Sequence, residues 1–453
     1  MIHTDHLTGL KPGVSEDLVR RLSADKKEPV WMLELRLKAY KIFTDKQMPG
    51  FGPSLSGLDL EKIVYYASPG EIRNAKKWED VPEEIKKTFD KLGIPEAERK
   101  ALAGVGAQYE SEVVYHNLKS KWKEMGILYE DLSVALVDHE DIVRKYFSKC
   151  LSLAEHKYMA LHYAFWSGGT FLYIPKGVKL DMPVQSYFRM NTPGLGQFEH
   201  TLIVVEDDAV AHYIEGCSAP RYDSTALHAG GVEVFVGKNA RCRYSSIENW
   251  SIDVHNLNTK RAMVEEKGVI EWVTGNLGSC ISMVYPCSVL KGDGSKAEHL
   301  SVAFAGENQI QDVGAKVIHI GRNTSSHIMA KGLAKDGGKS HYRGLVNILP
   351  GAANAKCSVR CDALLLDPIS GSDTFPYIKV DNDTSECVHE AATGKISPDQ
   401  IFYLKSRGLS ENQAVSLIIN GFIEPIMKEI PLEYAVEMNR LIQMEIDEGG
   451  WVG

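Results

Sequence analysis

The sequence is poor in cysteine, and the first third of its 453 residues has none. Its eight cysteines begin only at Cys150. They are too sparse for a disulfide scaffold, so we expect free thiols or ligands in a reducing compartment. No Cys-x-x-Cys pair occurs anywhere, which weakens zinc-ribbon, thioredoxin-like and ferredoxin-like interpretations.

Long apolar runs and an excess of positive charge are also missing. No run approaches the roughly 18 to 20 apolar residues that a membrane helix needs, and the start, MIHTDHLTGLKPG, lacks the apolar core of a signal peptide. The net charge of -9 leaves no basic surplus to neutralise a phosphate backbone. These absences predict a cytoplasmic protein with neither a membrane nor a nucleic acid as partner.

Two familiar enzyme motifs begin in this sequence and fail. AKDGGKS at residues 334–340 ends like a phosphate-binding loop, but that pattern needs a glycine where Leu333 stands. His389 and Glu390 begin the H-E-x-x-H pattern of zinc peptidases, whose fifth position is Thr393 here. The sequence therefore predicts neither an ATPase nor a zinc peptidase.

Hydrophobic periodicity divides the chain into three regions. Residues 1–166 are predicted to be helical, with Ser15 as an N-cap. Residues 167–386 contain short alternating runs broken by Gly, Asn and Asp, which indicate strands and turns. Residues 387–453 return to helix, and Ser397 and Ser410 each open a Ser-x-x-Gln capping box.

The middle region repeats itself. Segments made of an aliphatic residue followed by a polar turn superpose at intervals of 26 to 31 residues. A unit of this size, built only of short strands and turns, must stack on its neighbours to bury its apolar face. The repeat predicts a right-handed parallel β-helix, a β-solenoid, whose units begin at Ile174, Val205, Val236, Val264, Leu290, Ile320 and Leu349.

A β-sandwich is the alternative architecture for this region. It predicts hairpins closed by Asn-Gly or Asp-Gly turns. Asp293-Gly294 and Asp336-Gly337 are present, but such pairs do not recur at every repeat, so the pattern favours the solenoid.

A late group of residues combines soft and harder metal ligands. It consists of Cys357, Cys361, Cys387, His389 and Glu390. Residues an even number apart on a strand share a face, so Cys357 and Cys361 can lie on one side. Thiolate, imidazole and carboxylate suit iron, but the set is incomplete for a closed four-iron site. It indicates a transient site or one completed by a second chain, although free cysteine is also among the most buried residue types.

Several segments resemble the SufB/SufD family of iron–sulfur cluster assembly proteins over essentially the whole chain. They include FLYIPKGVKLDMPVQSYFRMN, HYIEGCSAP, IENW with NTKR, and CVHEAATGKISPDQIFYLKSRGLSENQAVSLIINGF. The resemblance is closest to the SufB branch. It implies a right-handed parallel β-helix between helical terminal regions, in agreement with the repeat.

The resemblance also assigns roles to individual residues. It implies that Cys217, in a G-C-[ST]-A-P motif, accepts sulfur. It implies that Cys361, before D-x-L-L, builds the cluster with His389 and Glu390. Polar residues thought to line an internal passage match Arg189, Asn191, Trp250 and Lys260, and Glu248 stands where relatives have Gln.

Partners and cofactors follow from the same resemblance. It implies a scaffold that is not itself an enzyme, carries a transient iron–sulfur cluster, and works with the ATPase SufC. SufD or a second SufB copy, a cysteine desulfurase as sulfur donor, and a reduced FAD in the complex are further expectations. Val388 replaces an acidic residue that some relatives have before the His-Glu pair.

Two other functions compete with the scaffold. A SufD-like structural partner would share the fold without building a cluster, and Cys217 together with Cys361 and the His-Glu pair argues against it. A sugar-active enzyme on a β-helix would need paired carboxylates on an open face. Asp207 and Asp208 are better interpreted as turn residues.

Overall fold

A computed structural model describes residues 12–67, 102–428 and 438–443, together with positions 75, 80, 81, 86, 435 and 446. Its body is a β-solenoid of about eight turns with helices at both ends, which confirms the predicted fold class. The predicted helices before residue 12, and most of those between residues 68 and 101, lie outside the described residues.

The described helices flank the solenoid on both sides in sequence. As predicted, Ser15 caps the first helix, and its hydroxyl accepts a hydrogen bond from the Leu18 N–H. The helices are α1 (Glu16–Asp25), α2 (Val30–Asp45), α3 (Ser120–Glu124), α4 (Leu132–Asp138), α5 (Glu140–Tyr146), α6 (Lys157–Phe165), α7 (Pro398–Ser406) and α8 (Glu411–Met427).

The strands form two long sheets, and nearly all of their pairings are parallel. They are β1 (Gly104–Tyr109), β2 (Glu112–Leu118), β3 (Leu128–Asp131), β4 (Thr170–Ile174), β5 (Val184–Arg189), β6 (Gly196–Gln197), β7 (His200–Val205), β8 (Val210–Ser218), β9 (Ala226–His228), β10 (Gly231–Val236), β11 (Arg241–Trp250), β12 (Val254–Asn256), β13 (Thr259–Val264), β14 (Val269–Gly278), β15 (Ile281–Val284), β16 (Cys287–Leu290), β17 (Lys296–Ala305), β18 (Ile310–His319), β19 (Ser325–Ala334), β20 (Lys339–Ile348), β21 (Lys356–Leu365), β22 (Gly371–Val380) and β23 (Glu386–Lys395).

The first sheet runs through β5, β8, β11, β14, β17, β19, β21 and β23, one strand per turn of the solenoid. The second sheet closes each turn. Its early turns use two short strands, such as β9 and β10, and from β18 onward these merge into single strands of ten residues. Parallel pairing at every turn excludes the sandwich, which needs antiparallel hairpins.

The sequence repeat coincides with the strand register. Ile174, Val205, Val236, Val264 and Leu290 are successive partners at the ends of their strands. Beyond Leu290 the register continues through His319 and Ile348. The predicted starts Ile320 and Leu349 are therefore one residue late. In each of these turns an aliphatic residue directly follows the register position and also satisfies the repeat spacing.

The corner after each of these strands contains a residue in the left-handed conformation. Asp208, Asn239, Asn323 and Asn354 have φ values between 54° and 61°. Side chains of successive corners are hydrogen-bonded, for example Asn354 Nδ2 to Asn323 Oδ1 at 3.2 Å. This local bonding is why Asn and Asp tolerate the conformation. It also confirms Asp208 as a turn residue.

The N-terminal part is less helical than predicted. Strands β1, β2 and β3 occupy much of residues 104–131 and extend the two sheets at their first edge. Helices α1, α2 and α6 then pack as an apolar layer against Phe171, Leu202 and Val204 of the second sheet. The error arises because tertiary pairing with β5 and β4 overrides a weak local pattern.

The C-terminal helices pack outside the first sheet. Ile419, Ile423 and Ile426 of α8 contact an apolar cluster that includes Leu300 and Phe304. Ser410 forms the predicted capping box with Gln413. Ser397 occupies the N-cap position of α7, but its side chain makes no capping hydrogen bond, so the box predicted there is wrong.

The division of the chain at residues 166 and 386 stays a prediction. Strand β23 runs to Lys395, so His389 and Glu390 lie on the last turn of the solenoid.

None of the helices in the described ranges is both long and apolar enough to cross a membrane.

Candidate functional site

Cys361 and His389 form a thiol–imidazole pair in the last turns of the solenoid. The Cys361 sulfur lies 3.3 Å from Nε2 of His389. Cys361 is buried, on β21, and His389 is half-buried on the neighbouring β23. Burial raises the pKa of the Cys361 thiol. These are two of the three ligands that the resemblance implies, and the fold brings them into contact.

Glu390 and Cys357 are not part of that contact. His389 and Glu390 are adjacent on a strand, so their side chains leave opposite faces, and Glu390 is exposed. Only its backbone carbonyl approaches Cys361, at 3.7 Å from the sulfur. Cys357 shares the inner face of β21, as predicted, but four residues of strand separate it from Cys361 by about 13 Å. No group of three or more metal-ligating side chains is assembled within the described ranges.

Two adjacent rows of side chains run along the first sheet from the turn that holds Cys217 to the turn that holds Cys361. In-register pairing stacks one residue per turn, so every row runs along the solenoid. Five strand steps separate β8 from β21, which is about 24 Å. One row is Glu215, Ser246, Thr274, Ser301, Ala330 and Cys361, and the other is Cys217, Glu248, Asn276, Ala303, Gly332 and Ala363.

These rows are polar near Cys217 and become small and apolar toward Cys361. Asn276, midway, is buried, and neither atom of its amide has a hydrogen-bond partner among the described residues. A cavity of about 20 Å³, lined in part by Ser301, Ala330 and Cys361, lies at the far end. Unpartnered polar groups beside small side chains leave places for water or a small anion.

Lys260 forms a buried charge cluster with Glu215 and Glu248. Its ammonium lies 3.0 Å from Oε1 of Glu215, 2.9 Å from Oε1 of Glu248 and 3.3 Å from the Ser246 hydroxyl. Lys260 reaches from β13 of the second sheet to β8 and β11 of the first. Burial lowers its pKa, but the two carboxylates outweigh that effect and raise it. Lys260 is therefore a buried residue and not a solvated surface residue.

Burial and the charges of Glu215 and Glu248 keep the Cys217 thiol protonated. Cys217 is only 1% exposed. Burial raises the pKa of its thiol well above the ordinary value, and the charges of Glu215 and Glu248 raise it further, against a smaller opposing effect of Lys260. The residue that the resemblance assigns to sulfur acceptance is thus a buried neutral thiol in this conformation.

His228 connects this cluster to Trp250. Its Nε2 lies 2.5 Å from Oε1 of Glu199, and its Nδ1 lies 2.7 Å from the side-chain oxygen of Asn256, whose amide nitrogen donates to Glu248. Although burial lowers the pKa of His228, Glu199 outweighs it and the pKa is raised. The Trp250 ring packs against the imidazole, with centroids 4.3 Å apart and planes tilted by 33°, and its indole N–H has no partner within the described chain.

Arg189 and Asn191 lie at the end of β5, near Cys217. Arg189 is buried and donates from Nη1 to the Ser218 hydroxyl at 2.8 Å and from Nε to Asn191 Oδ1 at 2.8 Å. The Asn191 amide donates to the Tyr109 hydroxyl at 2.9 Å. The register pairs Arg189 with Ser218 and Phe188 with Cys217. Because adjacent strand residues leave opposite faces, Arg189 is buried on the face of the sheet opposite Cys217.

Glu110 supports this end of the lumen and should make stability depend on pH. Its carboxylate accepts hydrogen bonds from the Asn191 N–H and the Thr192 hydroxyl. Burial raises its pKa to about 7, against the lowering effects of those bonds and Arg189. A raised folded-state pKa means that the native state binds more protons between pH 4.5 and 7, so stability is lost as pH rises through 7.

We expect Glu110→Gln to remove this dependence. The free energy of unfolding of the wild type, from urea titrations, should fall by up to about 3 kcal/mol more than that of the variant between pH 4.5 and 8. Glu266→Gln at an exposed corner is the control and should follow the wild type. Parallel pH profiles for wild type and Glu110→Gln would contradict the assignment.

Several lumen residues escape sequence reasoning. Glu215 lies in the HYIEGCSAP segment but received no role from it, and Asn276, His228 and Glu199 lie in none of the quoted segments. Their roles depend on which side chains the register stacks. The repeat could have identified the first two, because positions one repeat apart along β8, β11 and β14 share a row. Nothing in the sequence pairs His228 with Glu199, which are joined across different turns.

The solenoid thus places a buried thiol, a buried charge cluster and a thiol–imidazole pair along one lumen, which suits a carrier or assembly protein. Comparisons with known proteins agree. Residues 188–422 match the family model described as "SUF system FeS cluster assembly, SufBD core domain", and residues 82–186 match the "SufBD protein N-terminal region".

Relatives named as "Iron-sulfur cluster assembly SufBD family protein" are similar over nearly the whole chain. Those of Staphylococcus epidermidis and of Staphylococcus aureus strain MRSA252 are each 52% identical over 435 residues, which covers 96% of this chain and 93% of theirs. The chain therefore belongs to the SufBD family of the SUF system for iron–sulfur cluster assembly.

Proposed function

We propose that this chain is a SufB-type scaffold on which an iron–sulfur cluster is assembled for transfer, and not an enzyme. The observation that carries the proposal is the contact between Cys361 and His389 at the end of a lumen that begins at Cys217. A SufD-like partner would need neither thiol. Because the eight cysteines are free thiols, we assign the protein to the reducing cytoplasm.

The assembly site is incomplete in one chain, which calls for a second. Cys361 and His389 supply two ligands, and a cluster usually takes four. Glu390 would join them after a local rearrangement of β23. The last strands, β22 and β23, expose apolar side chains such as Tyr377 and Val388. We propose that SufD or a second SufB copy covers this edge and completes the site.

The sulfur path follows the lumen. Sulfur reaches Cys217 from a cysteine desulfurase as a persulfide, and the Cys217 thiol must lose its proton in that step. Glu215 and Glu248, whose charges act on that thiol, are the candidate acceptors. Trp250 and Lys260 offer donors to an anionic sulfur species, whose burial without partners is costly. Arg189 and Asn191, expected to line the same passage, lie beside Ser218 on the other face of the sheet.

The partner ATPase SufC has a candidate surface at the C-terminal helices. Phe402, Tyr403 and Leu417 are more than half exposed, at 74%, 55% and 54%. A groove of about 580 Å³ runs between α7 and the end of β21. The apolar side chains of α8 divide here, because Ile423 is buried against the solenoid whereas Leu417 is exposed and free to bind a partner.

The expected reduced FAD does not fit the described residues. The cavities that include lumen residues have volumes of about 40 Å³ or less, far below the 300 to 1,000 Å³ typical of ligand pockets. The larger groove lies beside α7 and lacks a glycine-rich phosphate cradle. No step is assigned to a flavin.

Replacing Cys217 by serine tests the proposed path of sulfur from Cys217 through the lumen to Cys361, the sulfur relay. We expect Cys217→Ser to prevent persulfide loading from the desulfurase while cluster assembly from free sulfide continues. The measurement is persulfide mapping by mass spectrometry after loading. Sulfur label on Cys361 at the normal rate in Cys217→Ser would eliminate the path, and Cys242→Ser, in another buried row, is the matched control.

A further inference from the structure

A second pair of cysteines faces each other in the last turns of the solenoid. Cys357 on β21 and Cys387 on β23 are direct partners in the parallel register. Both point into the lumen, where Cys387 packs against the same apolar cluster that contains Cys357. Each thiol affects the other's ionisation: Cys387 raises the pKa of Cys357, and Cys357 lowers the pKa of Cys387. Cys357 is 5% exposed, and Cys387 is half-buried.

The arrangement of this pair permits a disulfide. Neighbouring strands lie about 4.8 Å apart, and disulfides join Cα atoms separated by about 4.4 to 6.8 Å. Strand β23 ends its sheet among the described strands. β23 is hydrogen-bonded to β21 alone among these strands, so a small shift of β23 can bring the two sulfurs to bonding distance.

Other thiols of the same sheet have different neighbours. Cys242 lies in the same row as Cys357, but its register partners are Ala211 and Ile270. Cys217 is paired with Glu248 and Phe188. Cys361 is paired with Ala330 and Ala391. This row holds Cys242 among aliphatic and hydroxyl side chains, and it ends in two directly facing thiols on the turns that hold the assembly pair.

We propose that Cys357 and Cys387 are a dithiol that reduces the sulfane sulfur of a persulfide to sulfide at the end of the lumen. This rests on the proposed function, because a scaffold supplied with persulfide sulfur must reduce it before sulfide can enter a cluster. The dithiol supplies the two electrons that each sulfur atom needs, and the substrate class is a persulfide.

The reaction has two balanced steps. The Cys387 thiolate attacks the outer sulfur of a donor persulfide R–S–SH, so that Cys387–S–SH forms and the donor leaves as R–SH. The Cys357 thiolate then attacks the Cys387 sulfur, which forms the Cys357–Cys387 disulfide and expels hydrosulfide. In sum, R–S–SH and two thiols give R–SH, H₂S and one disulfide. A thiol reductant of the reducing compartment restores the dithiol.

Cys387 is assigned the first attack because it is the more accessible of the two. Cys357 is buried between its register partners Ser326 and Cys387, so it meets only a sulfur already attached to Cys387. Hydrosulfide is then released into the lumen about 13 Å along the strand from Cys361.

The test treats the full-length protein with glutathione persulfide under anaerobic conditions. We expect release of about one equivalent of sulfide per chain above background, with a peptide pair linked through Cys357 and Cys387 in the mass spectrum. Cys357→Ser should stop at a Cys387 persulfide, seen as the mass of one added sulfur. Cys387→Ser should give neither product, and Cys242→Ser should behave as the wild type.

A Cys361→Ser variant separates this proposal from the proposed function. Sulfide release should persist in it although cluster assembly is lost. A stable Cys387 persulfide in the wild type, a disulfide at other positions, or sulfide release unchanged in Cys387→Ser would each overturn the proposal. Circular dichroism and the urea midpoint confirm folding, and Cys357→Ala, which removes only the thiol, must reproduce the arrest seen in Cys357→Ser.

Discussion

Cys361→Ser is expected to reduce the yield of an oxygen-sensitive cluster to less than about a tenth of the wild-type yield. The serine hydroxyl is a poor ligand for iron compared with a thiolate. It also loses the 3.3 Å contact between sulfur and His389 Nε2. The measurement is the visible absorption and iron content after anaerobic reconstitution with ferrous iron and free sulfide.

Cys357→Ser is the matched control for that result. It removes a buried thiol from the same strand and the same face, about 13 Å away. Because free sulfide bypasses any need to reduce persulfide, its cluster yield should stay near that of the wild type. A normal cluster in Cys361→Ser and a lost cluster in Cys357→Ser would show that the assembly residue is Cys357.

His389→Ala and Glu390→Gln should reduce the cluster yield by different amounts. The imidazole already contacts Cys361, whereas Glu390 lies on the exposed face of β23. We therefore expect the larger loss of cluster in His389→Ala under the same reconstitution. Equal losses would indicate that β23 rearranges so that both side chains reach the cluster.

Lys260→Met is expected to destabilise the protein by about 3 to 5 kcal/mol. Methionine nearly matches the length of lysine, but it leaves the carboxylates of Glu215 and Glu248 without their shared cation in a position where both are 1% exposed. Urea denaturation at pH 7 measures the loss. In the relay, persulfide should also remain on Cys217, because the passage has lost a fixed positive charge.

A rescue variant separates the charge effect from packing. Combining Lys260→Met with Glu215→Gln and Glu248→Gln removes the unpaired charges, so most of the lost stability should return. Lys238→Met, at a corner where the ammonium is 60% exposed, should change stability by less than about 1 kcal/mol. If the triple variant is destabilised as much as Lys260→Met alone, the loss of stability is due to packing and not to unpaired charge.

The repeat made the solenoid predictable from the sequence. Aliphatic residues at intervals of 26 to 31 residues mark the same corner of every turn, and the register from Ile174 to Leu290 follows them. The predicted starts at Ile320 and Leu349 slipped by one residue. A slip of one reverses which side chains face inward, so spacing predicted the architecture more securely than the contents of the lumen.

Motifs located Cys217, Cys361 and His389 but not their surroundings. A short motif records residues adjacent in sequence, and on a strand adjacent residues face opposite sides. His389 and Glu390 therefore appear together in the sequence and apart in the structure. Lys260, which the resemblance places along the internal passage, is enclosed by two carboxylates that no motif connects with it.

The sequence by itself determined the stacked-turn architecture, the family resemblance and the thiols available for chemistry, because these depend on local patterns that repeat along the chain. Only the tertiary structure decided that Cys361 touches His389 and not Glu390 or Cys357, that Lys260 neutralises Glu215 and Glu248, and that Cys357 faces Cys387. These contacts join residues up to 45 positions apart. The parallel register brings together those within one sheet, and the closing of the two sheets around the lumen brings together Lys260 and its carboxylates.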